Sequence, residues 1–177
     1  TDAVLAGEDA RFYEHGGVDY KGMVRAALAN LGNVKSQGAS TITMQVARNF
    51  FLSKEKTLTR KFNEMLLAFK IESNLSKQQI IELYINQIYL GQRAYGFASA
   101  AQTYYGRPLA ELSIAQQAML AGLPKAPSRF NPIANPSRAK LRQQYVLRRM
   151  RELGMITPEQ LANADKEPVV IRQAANE

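Results

Sequence analysis

The chain has 177 residues, of which 46% are hydrophobic, so it is long enough to bury the core of one domain. Lys and Arg outnumber Asp and Glu by 23 to 15, and the resulting net charge of +8 predicts an anionic partner. The absence of cysteine excludes disulfides and thiol chemistry, and a single histidine, His15, excludes a His-rich metal site, which leaves carboxylates as the candidates for acid–base chemistry.

Apolar residues recur at helical spacing along most of the chain, which predicts a mainly α domain. The predicted helices cover residues 18–31, 41–51, 59–74, 77–90, 96–105, 113–123 and 138–153, and Thr157 with Pro158 opens a further short one. We expect a loop at residues 35–40 and an extended segment at the proline-spaced residues 124–136, and the tail from Glu167 has strand character.

Two of these helices carry specific expectations. Thr59 is expected to cap the helix 59–74. The spacing predicts that four of its apolar side chains form a buried stripe: Phe62, Met65, Leu66 and Phe69. Ser76 is expected to cap the helix 77–90, which is apolar nearly all round and is therefore predicted to be central.

The opening stretch GEDARFYEH holds an adjacent acidic pair, Glu8 and Asp9, and then the single histidine. A glycosyl or phosphoryl transfer site in a chain of this composition needs a carboxylate base, and Glu8 and Glu64 are the candidates. Taken alone, Glu8 is typical of a helix start, and His15 beside two glycines is typical of a hydrogen-bonded structural histidine.

Residues 48–64, RNFFLSKEKTLTRKFNE, form a strongly basic segment. Its cations are Arg48, Lys54, Lys56, Arg60 and Lys61. Two interpretations stay open: a solvated helix face, with an Arg60–Glu64 pair contributing about 0.3 to 0.5 kcal/mol, or a clamp that stabilises charge on a phosphate leaving group. Small and polar residues in QGASTITMQVARN, residues 37–49, suit either an anion site at a helix start or simple capping.

Five segments, taken in this order, resemble the motifs of the peptidoglycan glycosyltransferase domain of class A penicillin-binding proteins. They are EDARFYEHGGVD, GASTITMQVARN, RKFNE, IIELYINQIYLGQRAYGFASAAQTYYGR and LSIAQQAMLAGLPKAPSRFNP. The resemblance extends from about Glu8 to Thr157. It implies a lysozyme-like, two-lobed helical fold with an active-site cleft and a membrane-proximal lobe, and an enzyme that polymerises lipid II into glycan strands.

The resemblance also implies roles for individual residues. Glu8 matches the base that deprotonates the 4-hydroxyl of the acceptor sugar. Glu64 matches a second acid that acts at the donor pyrophosphate, directly or through a divalent cation such as Mg or Mn, although nothing in the sequence requires a cofactor. Asp9 and His15 are expected to organise the loop around Glu8. The positions matched to substrate binding are Asp9, Ser40, Gln45, Arg48, Lys56, Arg60 and Lys61.

Location and partners follow from the same resemblance. We expect residues 1–160 to form the glycosyltransferase domain, with an N-terminal membrane anchor absent, and residues 161–177 to begin a linker toward a transpeptidase domain. The expected location is the periplasmic, outer face of the inner membrane, in contact with lipid II, the growing glycan and cell-wall synthesis proteins, and not with nucleic acid. Phe50, Phe51 and Leu52 are predicted to approach the bilayer.

The sequence departs from the family pattern at two positions. Met44 stands where the pattern has glutamine, which is expected to remove a polar contact near the donor site, and Gln116 replaces a glutamate with an effect on packing only. Two alternatives to glycosyl transfer remain at this point: a lysozyme-like glycan hydrolase, and a non-enzymatic basic module that binds membrane or nucleic acid.

Overall fold

A computed structural model of the chain describes residues 1–21, 40–51 and 58–172. The described residues are helical apart from turns and one isolated bridge between Tyr89 and Tyr95, which confirms the mainly α prediction. Most of the predicted helix 18–31 and of the predicted loop 35–40 lies outside the described residues. The chain divides into two compact units, one formed by Thr1–Ala10 with Ile85–Glu177 and the other by Arg11–Tyr84.

The discontinuous unit is organised around one long helix. Its helices are α1 (Asp2–Glu8), α5 (Phe97–Tyr105), α6 (Ile114–Ala121), α7 (Pro127–Phe130), α8 (Pro136–Glu152) and α9 (Pro158–Lys166). Helix α8 packs against α1, α6, α7 and α9, and its Val146 and Leu147 are fully buried. Thr157 starts α9 with a capping box. Its hydroxyl accepts from the Gln160 N–H, and the Gln160 side chain accepts from the Thr157 N–H.

The continuous unit contains α2 (Ile42–Phe51), α3 (Leu58–Asn74) and most of α4 (Lys77–Gln87), which crosses the unit boundary at Tyr84. Thr41 caps α2, since its Oγ1 accepts from the Met44 N–H at 3.0 Å. Ser76 caps α4 in the same way and so confirms that prediction. Helices α2 and α3 pack together over a cluster of Val18, Met44 and Ala68.

The apolar stripe predicted to be buried on α3 is mostly exposed, so that prediction is wrong. Phe62, Leu66 and Phe69 are 60%, 52% and 38% exposed, and only Met65 packs against the core cluster. The buried positions are Glu64, Ala68 and Ile71, which are spaced by four and three residues and form the opposite face. Periodicity identifies an apolar face, but it does not identify what covers that face.

Other predictions on the helices also need correction. Helix α4 ends at Gln87 instead of residue 90, because a tight turn follows. It was predicted to be central and apolar nearly all round, but only one face, with three side chains, is buried. Residue 59 lies inside α3 and does not cap it. The segment 124–136 contains the short helix α7, and residues 168–172 form no strand. Helix α1 was not predicted at all.

Within the described ranges, no helix is both long enough and apolar enough to cross a membrane. The expected domain boundary at residue 160 falls inside α9, which packs on α6 and α8, so the linker assignment stays a prediction. Of the three residues predicted to approach the bilayer, Phe50 is partly buried, while the Phe51 side chain and Leu52 lie outside the described part.

Candidate active site

Helix α1 places Glu8 in the discontinuous unit. Residues 3–6 of α1 are buried, and the helix packs against α6 and α8. Glu8 is its last residue, because Asp9 has an extended φ of −158° and stops the helix. The burial of α1 therefore fixes where the Glu8 carboxylate lies, and that side chain is only 6% exposed.

The partner of Glu8 is a guanidinium from α8. Arg142 Nη2 lies 3.3 Å from Glu8 Oε1 and donates to the Gly7 carbonyl oxygen at 3.2 Å. The guanidinium carbon lies 4.7 Å from the Tyr145 ring centre and 5.8 Å from that of Phe130, where cation–π attraction supports its position. Arg142 is thus held on several sides, and it gives the buried carboxylate a counter-charge.

More positive charge surrounds this pair. Partial desolvation lowers the pKa of the Lys125 ammonium, the Arg142 cation lowers it further, the Glu8 carboxylate opposes that shift, and Arg129 adds a smaller lowering effect. The site therefore combines one carboxylate with an excess of cations, a combination suited to an anionic substrate. No sequence pattern points to Arg142, and Lys125 and Arg129 lie in LPKAPSRFNP, the end of the fifth motif, which by itself indicates no role for them.

Glu64 lies in the continuous unit within a local cluster on α3. Its side chain is 1% exposed, with Oε1 3.2 Å from Arg60 Nε and Oε2 3.4 Å from Lys61 Nζ. Lys61 Nζ also donates to Ser40 Oγ, just before α2. The structure thus brings together four of the residues matched to the donor site: Ser40, Arg60, Lys61 and Glu64.

The other predicted binding residues are placed differently. Gln45 is 4% exposed, and its Oε1 accepts from the Tyr84 hydroxyl at 3.0 Å inside the unit. Arg48 lies on α2 and is partly exposed, while Lys56 is outside the described residues. Asp9 is buried at the end of α1. Direct substrate contacts by these four residues stay predictions.

A buried network ties down the loop after Asp9. His15 Nδ1 accepts from the Gly17 N–H at 3.1 Å and lies 3.4 Å from Lys77 Nζ, which bonds Glu72 Oε1 at 2.6 Å. Gly17 has a φ of +110°, and a Cβ there would lie 2.9 Å from the Ala68 carbonyl oxygen, so only glycine fits. His15 therefore organises the loop that follows Asp9, while the expected role of Asp9 stays a prediction.

A divalent cation, which the resemblance allows at Glu64, would compete there with two cations of the chain itself. Both carboxylate oxygens of Glu64 face cationic side chains, those of Arg60 and Lys61. Among residues 1–21, 40–51 and 58–172, there is no group of three or more His, Cys, Asp or Glu side chains that could hold a metal ion. The cations of the chain itself neutralise Glu64.

The two departures from the family pattern are explained by position. Met44 is 2% exposed and packs in the core cluster of α2 and α3, so its replacement of glutamine does not remove a polar contact from the site, and that expectation is corrected. Gln116 completes a capping box at the start of α6, where its side chain accepts from the Ser113 N–H at 3.0 Å. A glutamate can accept the same bond.

Comparisons with known proteins agree with the resemblance that the five motifs carry. A family model described as transglycosylase matches residues 1–151. Penicillin-binding protein 1A of Neisseria flavescens is 64% identical over 168 residues, which cover 94% of this chain and 21% of that protein. A putative transglycosylase of Cupriavidus necator is 60% identical over 172 residues, 97% of this chain and 74% of that protein.

A solved structure is also similar. The crystal structure of penicillin-binding protein 1A from Haemophilus influenzae matches with a TM-score of 0.56 and 38% identity, over 77% of this chain and 17% of that one. This likeness confirms the lysozyme-like helical fold that the motifs implied. The chain spans about a fifth of the length of both penicillin-binding proteins.

Proposed function

The chain belongs to the transglycosylase family, and from this premise we propose that it polymerises lipid II into glycan strands and releases undecaprenyl pyrophosphate. Its family and relatives make it an enzyme domain of peptidoglycan glycosyl transfer. They give no support to the two alternatives, a glycan hydrolase and a non-enzymatic basic module.

The proposed reaction needs one base and a stabilised leaving group. The acceptor 4-hydroxyl oxygen bonds to the anomeric carbon of the donor, while the bond from that carbon to the pyrophosphate oxygen breaks and its electron pair leaves with the pyrophosphate. Glu8 takes the hydroxyl proton. Attack opposite the leaving group inverts an α-linked donor to a β-linked product, without a covalent enzyme intermediate.

The ion pair of Glu8 with Arg142 is the observation that carries this assignment. The guanidinium 3.3 Å away holds this buried carboxylate at the end of α1, where it can accept the proton of a bound sugar hydroxyl. The surrounding cations, Lys125 and Arg129, favour an anionic substrate beside it.

The second group of residues is proposed to stabilise the pyrophosphate. Arg60 and Lys61 supply positive charge, and Ser40 supplies a hydroxyl in contact with Lys61. Arg48 and Lys56 are proposed to add further cations. Glu64 holds Arg60 and Lys61 in place through one oxygen each, which makes it a positioning residue for the clamp.

The test compares lipid II polymerisation by Glu8→Gln with that by the wild type. The readout is the rate at which labelled glycan forms and the length of that glycan. Loss of a general base predicts a fall in rate of about 10²- to 10⁴-fold. Glu14→Gln is the matched control, since Glu14 lies in the same stretch and its exposed side chain pairs with Arg11. Thermal unfolding of both variants separates loss of chemistry from loss of fold. Wild-type rates in folded Glu8→Gln would refute the assignment.

Location and partners are proposed on physical grounds. The net charge of +8 suits anionic phospholipid, and the exposed face of Phe62, Leu66 and Phe69 suits the apolar layer beneath the headgroups. We place the enzyme at the outer face of the cytoplasmic membrane, together with cell-wall synthesis proteins. The combined variant Phe62→Ser, Leu66→Ser and Phe69→Ser is expected to sediment less with anionic vesicles, and unchanged binding by the folded variant would contradict this contact.

A further inference from the structure

An unusual turn lies between α4 and α5. Gly91, Gln92 and Arg93 have φ values of +80°, +48° and +58°, so three consecutive residues adopt the left-handed conformation. Two of them carry a Cβ, which disfavours that conformation. The turn joins two short extended segments, paired through the Leu90 N–H to the Ala94 carbonyl oxygen at 2.9 Å.

The turn is fixed to the interior of its unit. A Cβ at Gly91 would lie 2.8 Å from Tyr104 Oη, so the backbone approaches that side chain closely. The Tyr104 hydroxyl donates to the Leu90 carbonyl oxygen at 2.8 Å. Burial, with a smaller contribution from Tyr89, raises the pKa of Tyr104 to about 12, so the donating proton stays in place at neutral pH. Leu90 and Ala94 are buried beneath the turn.

The outer side of this turn carries two exposed aromatic rings. Tyr89 and Tyr95 are 42% and 63% exposed, and their ring centres lie 5.0 Å apart at an interplanar angle of 49°. Gln92 and Arg93, at the tip, are also exposed. The Tyr89–Tyr95 bridge sets the two residues side by side, and a tyrosine has only two χ angles to order when a ligand covers it.

We propose that this turn is a saccharide-binding surface for the peptidoglycan glycan strand, a role that rests on the proposed function. Sugar rings present apolar C–H faces that pack on aromatic rings, while the tyrosine hydroxyls and the Gln92 amide supply hydrogen bonds to sugar hydroxyl and acetamido groups. The Arg93 guanidinium pairs with free carboxylates of the stem peptide that every second sugar carries.

The chemistry of the surface favours a glycan over other occupants. A lipid tail would need an apolar groove, and the described turn offers two amphipathic rings with polar groups at its tip. An acidic saccharide matches both features at once, since it combines C–H faces, hydroxyl groups and negative charge. The geometry thus extends the enzyme's contact with its polymer to residues 89–95.

The experiment measures binding of two soluble probes to the protein by calorimetry. One probe is an uncrosslinked glycan strand that carries stem peptides, and the other is the neutral chitotetraose. We expect Tyr95→Leu, which keeps apolar volume but loses the ring, to weaken both probes about tenfold. Arg93→Gln should weaken the acidic strand about fivefold and leave chitotetraose unchanged. Tyr20→Ala, at an equally exposed tyrosine in the other unit, should leave both affinities at the wild-type value.

Two further variants keep the result decisive. Tyr89→Phe combined with Tyr95→Phe keeps both rings and loses only the hydroxyl hydrogen bonds, so it should weaken both probes less than Tyr95→Leu does. Thermal unfolding of each variant separates a loss of binding from misfolding of the turn. Lipid II polymerisation by Glu8→Gln and strand binding by Tyr95→Leu are separate measurements on different residues, so the two proposals fail separately. Undiminished binding by folded Tyr95→Leu, or an equal loss in Tyr20→Ala, would overturn the proposal.

Discussion

The two carboxylates that the motifs single out are stabilised in different ways by their two units. Glu64 sits within a helix, and its partners Arg60 and Lys61 are four and three residues away on the same helix. Glu8 ends a helix, and its partner Arg142 is 134 residues away in the sequence. One charge cluster is therefore built by helical spacing alone, and the other exists only when distant helices pack.

The difference teaches which parts of a site depend on tertiary structure. Helix α3 brings Arg60 and Lys61 to Glu64 as soon as it forms, and each carboxylate oxygen has its own cation. The position of Arg142 depends on the packing of α8 against α1 and on the rings of Tyr145 and Phe130. We therefore expect the Glu8 cluster to be the more fragile of the two.

Arg142→Gln tests this directly and has the largest expected effect. The substitution removes the guanidinium from beside a carboxylate that is 6% exposed, together with its contacts to the Tyr145 and Phe130 rings, which should cost up to about 3 to 5 kcal/mol of unfolding free energy. Urea denaturation measures it. Arg148→Gln, at an exposed position of the same helix, is the control and should change stability by less than about 0.5 kcal/mol. Equal stabilities of the two variants would show that Arg142 does not stabilise the Glu8 cluster, and the predicted difference between the two clusters would be wrong.

Arg60→Gln should have a smaller effect, because Lys61 continues to neutralise Glu64. We expect a loss of about 1 to 2 kcal/mol in the same denaturation experiment. Lys70→Gln, an exposed cation on the same helix, should be close to neutral. A loss in Arg60→Gln that exceeds the loss in Arg142→Gln would reverse the comparison and make the local cluster the more fragile one.

The smallest effect is a shift at Lys125. Because the Arg142 cation lowers its pKa and the Glu8 carboxylate raises it, Arg142→Gln should move the Lys125 pKa upward and Glu8→Gln should move it downward. Carbon-13 NMR titration of dimethylated lysines measures both shifts. Shifts of the same sign in the two variants would show that Lys125 does not sense the Glu8–Arg142 pair.

The same contrast accounts for what the sequence could predict. The Arg60–Glu64 pairing followed from spacing, although the pair is buried and does not lie on a solvated face. The capping residues Ser76 and Thr157 were also predicted. The Arg142 contact could not be predicted, since no local pattern links residues 134 positions apart. Helix α1 was missed because seven residues give periodicity little length to act on.

The exposed face of α3 shows a different limit. Its apolar spacing was detected correctly, but the core lies on the face that carries Glu64, Ala68 and Ile71. A buried ion pair permits this, because Arg60 and Lys61 offset the cost of placing a carboxylate inside. The hydrophobic pattern therefore predicted the helix, while charge pairing allows the face that carries Glu64 to be the buried one.

The division of one unit between Thr1–Ala10 and Ile85–Glu177 has a consequence for synthesis on the ribosome. The whole of Arg11–Tyr84 is made before the segment that Glu8 needs. At about 5 to 20 residues per second, the 134 residues between Glu8 and Arg142 take roughly 7 to 27 seconds to translate. During that interval Arg142 has not yet been made, so the cluster around Glu64 can form before the cluster around Glu8.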